Sequence, residues 1–175
     1  MTTDTETRIT TQVYRVYIKA TPQAIWDAIT KPEWSERYGY GGRVEYDLRP
    51  GGRYRAFASE DMKRARAEMG GSPVPDVIVD GEVIESDPPR RLVQTWRMLM
   101  DPDTTAEGFT RLTYEIDENL PGVSKLTLTH ELERASRLAT FLAGGMESSG
   151  AGGGWAEVLS DLKTLLETGE SFHSA

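Results

Sequence analysis

Apolar and polar positions alternate along most of this chain in short runs punctuated by glycine and proline. Ile9 to Ile18 alternates in part, with Tyr14, Val16 and Ile18 on one face and Val13, Arg15 and Tyr17 on the other, and predicts a first strand. Thr21 and Pro22 then supply a cap and a first-turn proline for a helix whose apolar set is Ile25, Trp26 and Ile29. Thr30-Lys31-Pro32 repeats that punctuation and predicts a second, short helix over Glu33 to Tyr38, ended by Gly39, Gly41 and Gly42. Strand runs follow at Arg43–Leu48 and Arg53–Ala58, separated by the turn Pro50-Gly51-Gly52, which is the pattern of a hairpin.

Residues 59–76 break the rhythm and are read as an insertion or lid: Glu60–Met69 has helical composition, whereas Gly70, Gly71, Pro73 and Pro75 favour no regular element. Strands resume over Val77–Glu85, Arg91–Leu99, Phe109–Asp117 and Lys125–Leu132, which predicts an antiparallel meander with turns at Asp87-Pro88-Pro89, Asp101-Pro102 and Leu120-Pro121-Gly122. The last run differs in period. Trp155, Val158, Leu159, Leu162, Leu165 and Leu166 recur at three- and four-residue steps, so they share one helix face, while Glu157, Ser160, Asp161, Lys163, Thr164 and Glu167 are assigned to the other. Glycines 152–154 read as a hinge before this helix and Gly169 as its stop. Sequential strands, two early helices and one late helix make an α+β fold with the helices on one face of the sheet.

At 175 residues the chain fits one domain, placed over 9–169 between mobile tails at 1–8 and 170–175. Its 28 acidic against 20 basic residues give a net charge of −8, which argues against nucleic acid as a partner. The absence of cysteine excludes disulfides, thiolate nucleophiles and Cys-ligated zinc. No apolar run approaches membrane-spanning length and the polar N-terminus is no signal peptide, so the expected location is the cytoplasm. Fifteen arginines against five lysines suggest a GC-rich bacterial genome. No nucleophile elbow or phosphate loop is present, and with one histidine in the body of the fold no metal or cofactor is expected.

Four segments carry a family likeness: Ala20 to Thr30, Gly81 to Val93, Leu126 to Glu131, and Gly153-Gly154-Trp155 with its leucine-rich helix. In their order and spacing they resemble the SRPBCC superfamily, the START or Bet v 1-like helix-grip domains, in the branch related to the Hsp90 ATPase activator. The resemblance implies a seven-stranded antiparallel sheet with two short helices and a long C-terminal helix enclosing a hydrophobic cavity. It does not imply a reaction, because such domains bind lipids, hormones or polyketides, sequester antibiotics or activate a chaperone.

If the last helix closes over the sheet, strand alternation nominates the residues that face it. His130 lies in register with Leu126, Leu128 and Leu132, and is either a cavity acid-base group or a satisfied core histidine. Tyr114, Trp96 and Gln94 fall on the inward faces of their strands, with Leu112, Ile116, Leu92 and Met98 beside them; Gln94 stands out because a buried amide must find partners. Trp34 and Tyr38, with Tyr40, border the expected cavity mouth, and Trp155, Leu159 and Leu162 supply the helix wall. The cluster Lys63-Arg64-Ala65-Arg66 is read as a solvated helix face with Glu60 and Arg64 paired. The function favoured by these residues is non-enzymatic binding or sequestration of a hydrophobic or amphipathic small molecule, lipid or polyketide-like, by a monomer or homodimer. A chaperone ATPase regulator, with a stress-response role, and a polyketide cyclase using His130 with Tyr114 or Glu131 are the alternatives.

Overall fold

A computed structural model describes residues 11–149 and 151–173. The expected N-terminal tail, 1–8, lies outside the described residues. Seven strands form one antiparallel sheet: β1 (Thr11–Ile18), β2 (Arg43–Tyr46), β3 (Arg53–Phe57), β4 (Val77–Asp87), β5 (Arg91–Met98), β6 (Thr110–Leu120) and β7 (Val123–Glu131), in the order β1-β7-β6-β5-β4-β3-β2. The meander β4 to β7 and the β2–β3 hairpin are as the turn residues predict. The first strand closes on the last, with Gln12 opposite His130 and Val16 opposite Leu126.

The sheet is strongly curved. Strand β2 stands three steps from β5, about 14 Å on a flat sheet, yet the Tyr46 hydroxyl donates to Gln94 Oε1 at 2.6 Å. Register breaks at Ala56/Phe57 and Val83/Glu85 accompany this bend.

Helix α1 (Pro22–Thr30) is capped by Thr21, whose Oγ1 accepts from Ala24 N, and buries Ile25, Trp26, Ala28 and Ile29. Helix α2 (Pro32–Ser35) is one turn, not the expected Glu33 to Tyr38. The chain leaves it through turns at Gly39 and Gly41, both at positive φ, while Ser35 Oγ is taken by Val44 N. Helix α3 (Glu60–Glu68), capped by Ser59, fills the insertion. There Arg64 pairs with Asp61, one turn back, and not with Glu60; Lys63 ties the start of the segment to its end through Asp76 at 2.6 Å.

Two short helices were not anticipated. Helix α4 (Pro102–Thr105) follows Asp101, whose side chain accepts from Asp103 N, where only a turn was expected. Helix α5 (Ser136–Leu142) has no side-chain cap and buries Leu138 and Leu142. The long helix α6 (Trp155–Thr168) lies against β1 and α1 and buries Trp155, Leu159 and Leu162 in the core it shares with the sheet, with Leu165 buried as well.

Asp161 overturns its assignment to the solvent face of that helix, for it is fully buried. Three and four residues from Val158 and Leu165, it sits on the margin of the apolar stripe. Among the described residues, 170–173 depart from the expected mobile tail. Ser171 is buried and donates to the Asp161 carboxylate, and Phe172 N donates to Asp161 Oδ1 at 2.9 Å.

Candidate functional site

On the concave face, strand alternation brings three inward rows together. Gln12, His130, Leu112 and Gln94 align across β1, β7, β6 and β5, and Tyr14, Leu128, Tyr114 and Leu92 align in the next row. Trp96 lies one residue pair further along, opposite Thr110.

His130, Trp96 and Trp155 form one cluster, with the imidazole edge-on to Trp96 at 5.3 Å and 6.0 Å from Trp155. Indole nitrogen can only donate, so Trp155 Nε1–H gives its proton to His130 Nδ1 at 3.1 Å. The neutral ring therefore carries its hydrogen on Nε2, which donates to Thr110 Oγ1 at 2.7 Å, and that hydroxyl donates onward to the Trp96 carbonyl at 2.7 Å. Both ring nitrogens are engaged, and burial pulls the His130 pKa down to about 3. His130 thus has no free nitrogen for moving a proton near neutral pH. Glu131 points to the opposite face, where it pairs with Arg111.

A second cluster surrounds Gln94 and Tyr114. It recruits two residues that strand-by-strand reading missed, Tyr46 and Tyr54, which face each other across the β2–β3 hairpin with ring centroids 4.5 Å apart. Tyr38 joins from the turn after α2 and donates to the Ala28 carbonyl at 3.0 Å. The four phenols lie within electrostatic reach of one another, and desolvation raises the pKa of each. Gln94 is fully buried; it accepts from Tyr46 and donates to the Thr95 carbonyl at 3.3 Å. The Tyr114 side chain is 9% exposed, and burial raises its pKa well above the ordinary tyrosine value. A two-residue period through the hairpin, Val44 and Tyr46 against Tyr54 and Ala56, was the available signal for the missed pair.

Tyr38 also opens onto the surface. With Glu36, Tyr40, Ser59, Leu165 and Ser171 it lines a cleft of about 690 Å³ between the glycine-rich turn, the start of α3 and the end of α6. Behind the cleft wall the fully buried Asp161 holds two of its lining residues, its carboxylate accepting from Gly39 N at 2.8 Å and from Ser171 Oγ, as well as from Phe172 N. Trp34 packs against the core from α2 and carries the Arg37 guanidinium over its ring at 4.7 Å. Leu159 and Leu162 are buried in the α6 wall. The glycines before α6 are tightly packed: Tyr40 covers Gly152, its hydroxyl accepts from Gly154 N at 3.0 Å, and a Cβ at Gly154 would strike the Leu142 carbonyl. A second groove, of about 570 Å³, lies on the convex face beside Arg55 and Phe109. No cluster of histidine, aspartate and glutamate suited to a metal ion occurs among the described residues, and none of their helices is long and apolar enough to cross a membrane.

Residues 19–167 match the family model described as Activator of Hsp90 ATPase homolog 1-like protein. No curated protein matches the chain. Solved structures share the fold. Protein MLL2253 from Mesorhizobium loti is similar with a TM-score of 0.61 at 22% identity, over 89% of this chain and 96% of that one. PFC0360w, an HSP90 activator from Plasmodium falciparum, is similar with a TM-score of 0.60 at 19% identity, over 90% and 96%. The Aha1 dimer from Colwellia psychrerythraea gives a TM-score of 0.59 at 17% identity, over 92% and 98%.

Proposed function

The chain belongs to the family of Activator of Hsp90 ATPase homolog 1-like proteins, and from that premise we propose that it is a non-enzymatic binding protein that holds an amphipathic small molecule between the sheet and α6. The observation that carries this reading is the state of Tyr38 and Tyr46. Both hydroxyls are deeply desolvated, yet both residues keep accessible surface. Tyr38 is also part of the cleft wall, so the cleft leads toward the phenol cluster. Aromatic walls with a few convergent polar groups suit a ligand that is mostly apolar and is oriented by one or two hydrogen bonds. In this reading 59–76 acts as a lid: Ser59 and Asp61 border the cleft while Met62 and Val74 rest on the core. The protein would act in the cytoplasm, as a monomer or homodimer.

Native mass spectrometry of freshly purified protein, followed by extraction, tests the proposal. A reproducible low-molecular-mass hydrophobic adduct is expected; a protein that purifies empty and takes up no aromatic probe would remove it. Regulation of an Hsp90-type ATPase is the second reading, and family membership is what favours it. It requires stimulated ATP hydrolysis on mixing with the chaperone, and an unchanged rate at saturating protein rejects it. The cyclase alternative is disfavoured by the double engagement of His130.

A further inference from the structure

We propose that the groove on the convex face is a binding site in its own right, one that takes a small monocarboxylate with an aromatic tail: Arg55 receives the carboxylate and Phe109 with Leu99 the tail. The inference is independent of the reading above, because the sheet itself separates this groove from the concave face.

The charges along the groove do not cancel. In one row of the convex face Glu45, Arg55, Asp80 and Arg97 stand opposite one another on β2, β3, β4 and β5. Asp80 has an arginine on either side, and it gives both oxygens to Arg97, at 3.0 and 2.7 Å. Arg55 is left with one loose contact, a terminal nitrogen 3.5 Å from Glu45 Oε2. Its Nε–H is shut off from solvent and has no acceptor; among the described residues only Ser86 Oγ shares that condition, and Ser86 lines neither cavity. A buried donor on a charged group is costly to leave unpaired, so an acceptor supplied from the groove is favoured.

The head group follows from the guanidinium fork and from what surrounds it. Nε–H and the adjacent terminal N–H lie parallel and match the two oxygens of a carboxylate. Arg53 adds a second positive charge to the groove, whereas Glu82, opposite it on β4, repels a dianionic phosphate more strongly than a monoanion. The tail follows from the apolar wall. Phe109 keeps 52% of its surface open while the Arg97 guanidinium rests over its ring at 4.2 Å, and Leu99 lines the same groove. A volume of about 570 Å³ is that of a small-molecule site, not of a protein interface.

Hydrocinnamate and its uncharged amide, titrated into the isotope-labelled full chain and followed by amide-resolved NMR, test the assignment. Hydrocinnamate is expected to shift the backbone amides of Arg55, Asp80 and Phe109 to saturation, and to bind about tenfold more tightly than the amide. Arg55→Lys, which keeps the charge but loses the Nε–H fork, is expected to weaken it about fivefold. Glu45→Gln, a change at an exposed position that frees the fork, is expected to tighten it about twofold. Equal affinity for acid and amide overturns the inference, as do shifts confined to the concave face or to the cleft beside Tyr38. Undiminished binding by Arg55→Lys overturns it too, because charge alone would then suffice, and so does the lack of saturable binding by hydrocinnamate. The comparison of acid with amide and the Glu45→Gln variant leave Arg55 in place, so they decide the matter even where a change at Arg55 disturbs folding.

Discussion

His130 shows how a residue nominated for chemistry can be spent on structure. Its pKa in the folded protein is pulled down to about 3 by burial, whereas in the unfolded chain it is near the ordinary histidine value. Above pH 6.5 both states are neutral and the group adds no pH dependence. As pH falls from 6.5 toward 3, only the unfolded chain takes up the proton, so stability declines by up to about 1.4 kcal/mol per pH unit. We predict that between pH 7 and pH 5 the wild type loses about 2 kcal/mol more, by urea denaturation, than His130→Gln, which keeps an acceptor and a donor but does not titrate. Asp161 is the converse case, a charge hidden where a solvated one was expected. Asp161→Ala strands three donors and should lower stability by about 3 kcal/mol. Amide hydrogen exchange should accelerate at Gly39 and Phe172 first, and unchanged exchange there would show that the carboxylate is not what holds the turn and the last residues together.

At the level of elements, the chain was legible wherever a period and a cap coincide. Thr21-Pro22 before Ile25, Trp26 and Ile29 announces α1, and the leucine steps after Trp155 announce α6. Helix α5 escaped because it is seven residues long, begins at Ala135 without a capping side chain and follows a loop instead of a breaker. The inward positions of Trp96, His130, Gln94 and Tyr114 follow from strand alternation, and that of Trp155 from the helical period. The two-residue period of the hairpin puts Tyr46 and Tyr54 on the inward face, but no local pattern encodes the distance between β2 and β5 that brings Tyr46 to Gln94. Glycines 152–154 were read as a joint, but their packing says otherwise. Gly154 has φ +72° and ψ −149°, a region that side chains avoid, and it abuts the Leu142 carbonyl. Gly154→Ala should therefore cost about 3 kcal/mol or more in thermal or urea unfolding. Gly169→Ala, at φ +87° with open space around it, should cost only about 1 kcal/mol. Equal effects at the two positions would mean that the close approach to α5 is not limiting.

At the scale of the whole molecule, the sheet is bent enough to bring its β2 edge within reach of the central strand β5, and the Tyr46–Gln94 bond is the measure of that bend. Gln94→Leu removes the acceptor for Tyr46 and leaves a desolvated phenol unpaired, so a loss of about 2 kcal/mol is expected. Tyr46→Phe in the same background should restore part of it, and full additivity of the two substitutions would show that the contact carries no energy. The charged convex face, with Arg97–Asp80, Arg91–Glu115 and Arg111–Glu131 paired across strands, adds little to stability at these exposures and keeps that surface soluble.

The pairing of β1 with β7 also sets a timetable. Contacts such as Gln12 with His130 and Ile18 with Ser124 join segments more than a hundred residues apart, and such long loops are slow to close. On the ribosome, at 5–20 residues per second, β1 waits on the order of ten seconds for its partner strand to be made. For that interval Tyr14, Val16 and Ile18 have no sheet to cover them, which makes the nascent N-terminal half the stretch of this chain most exposed to aggregation or to capture by a holding chaperone.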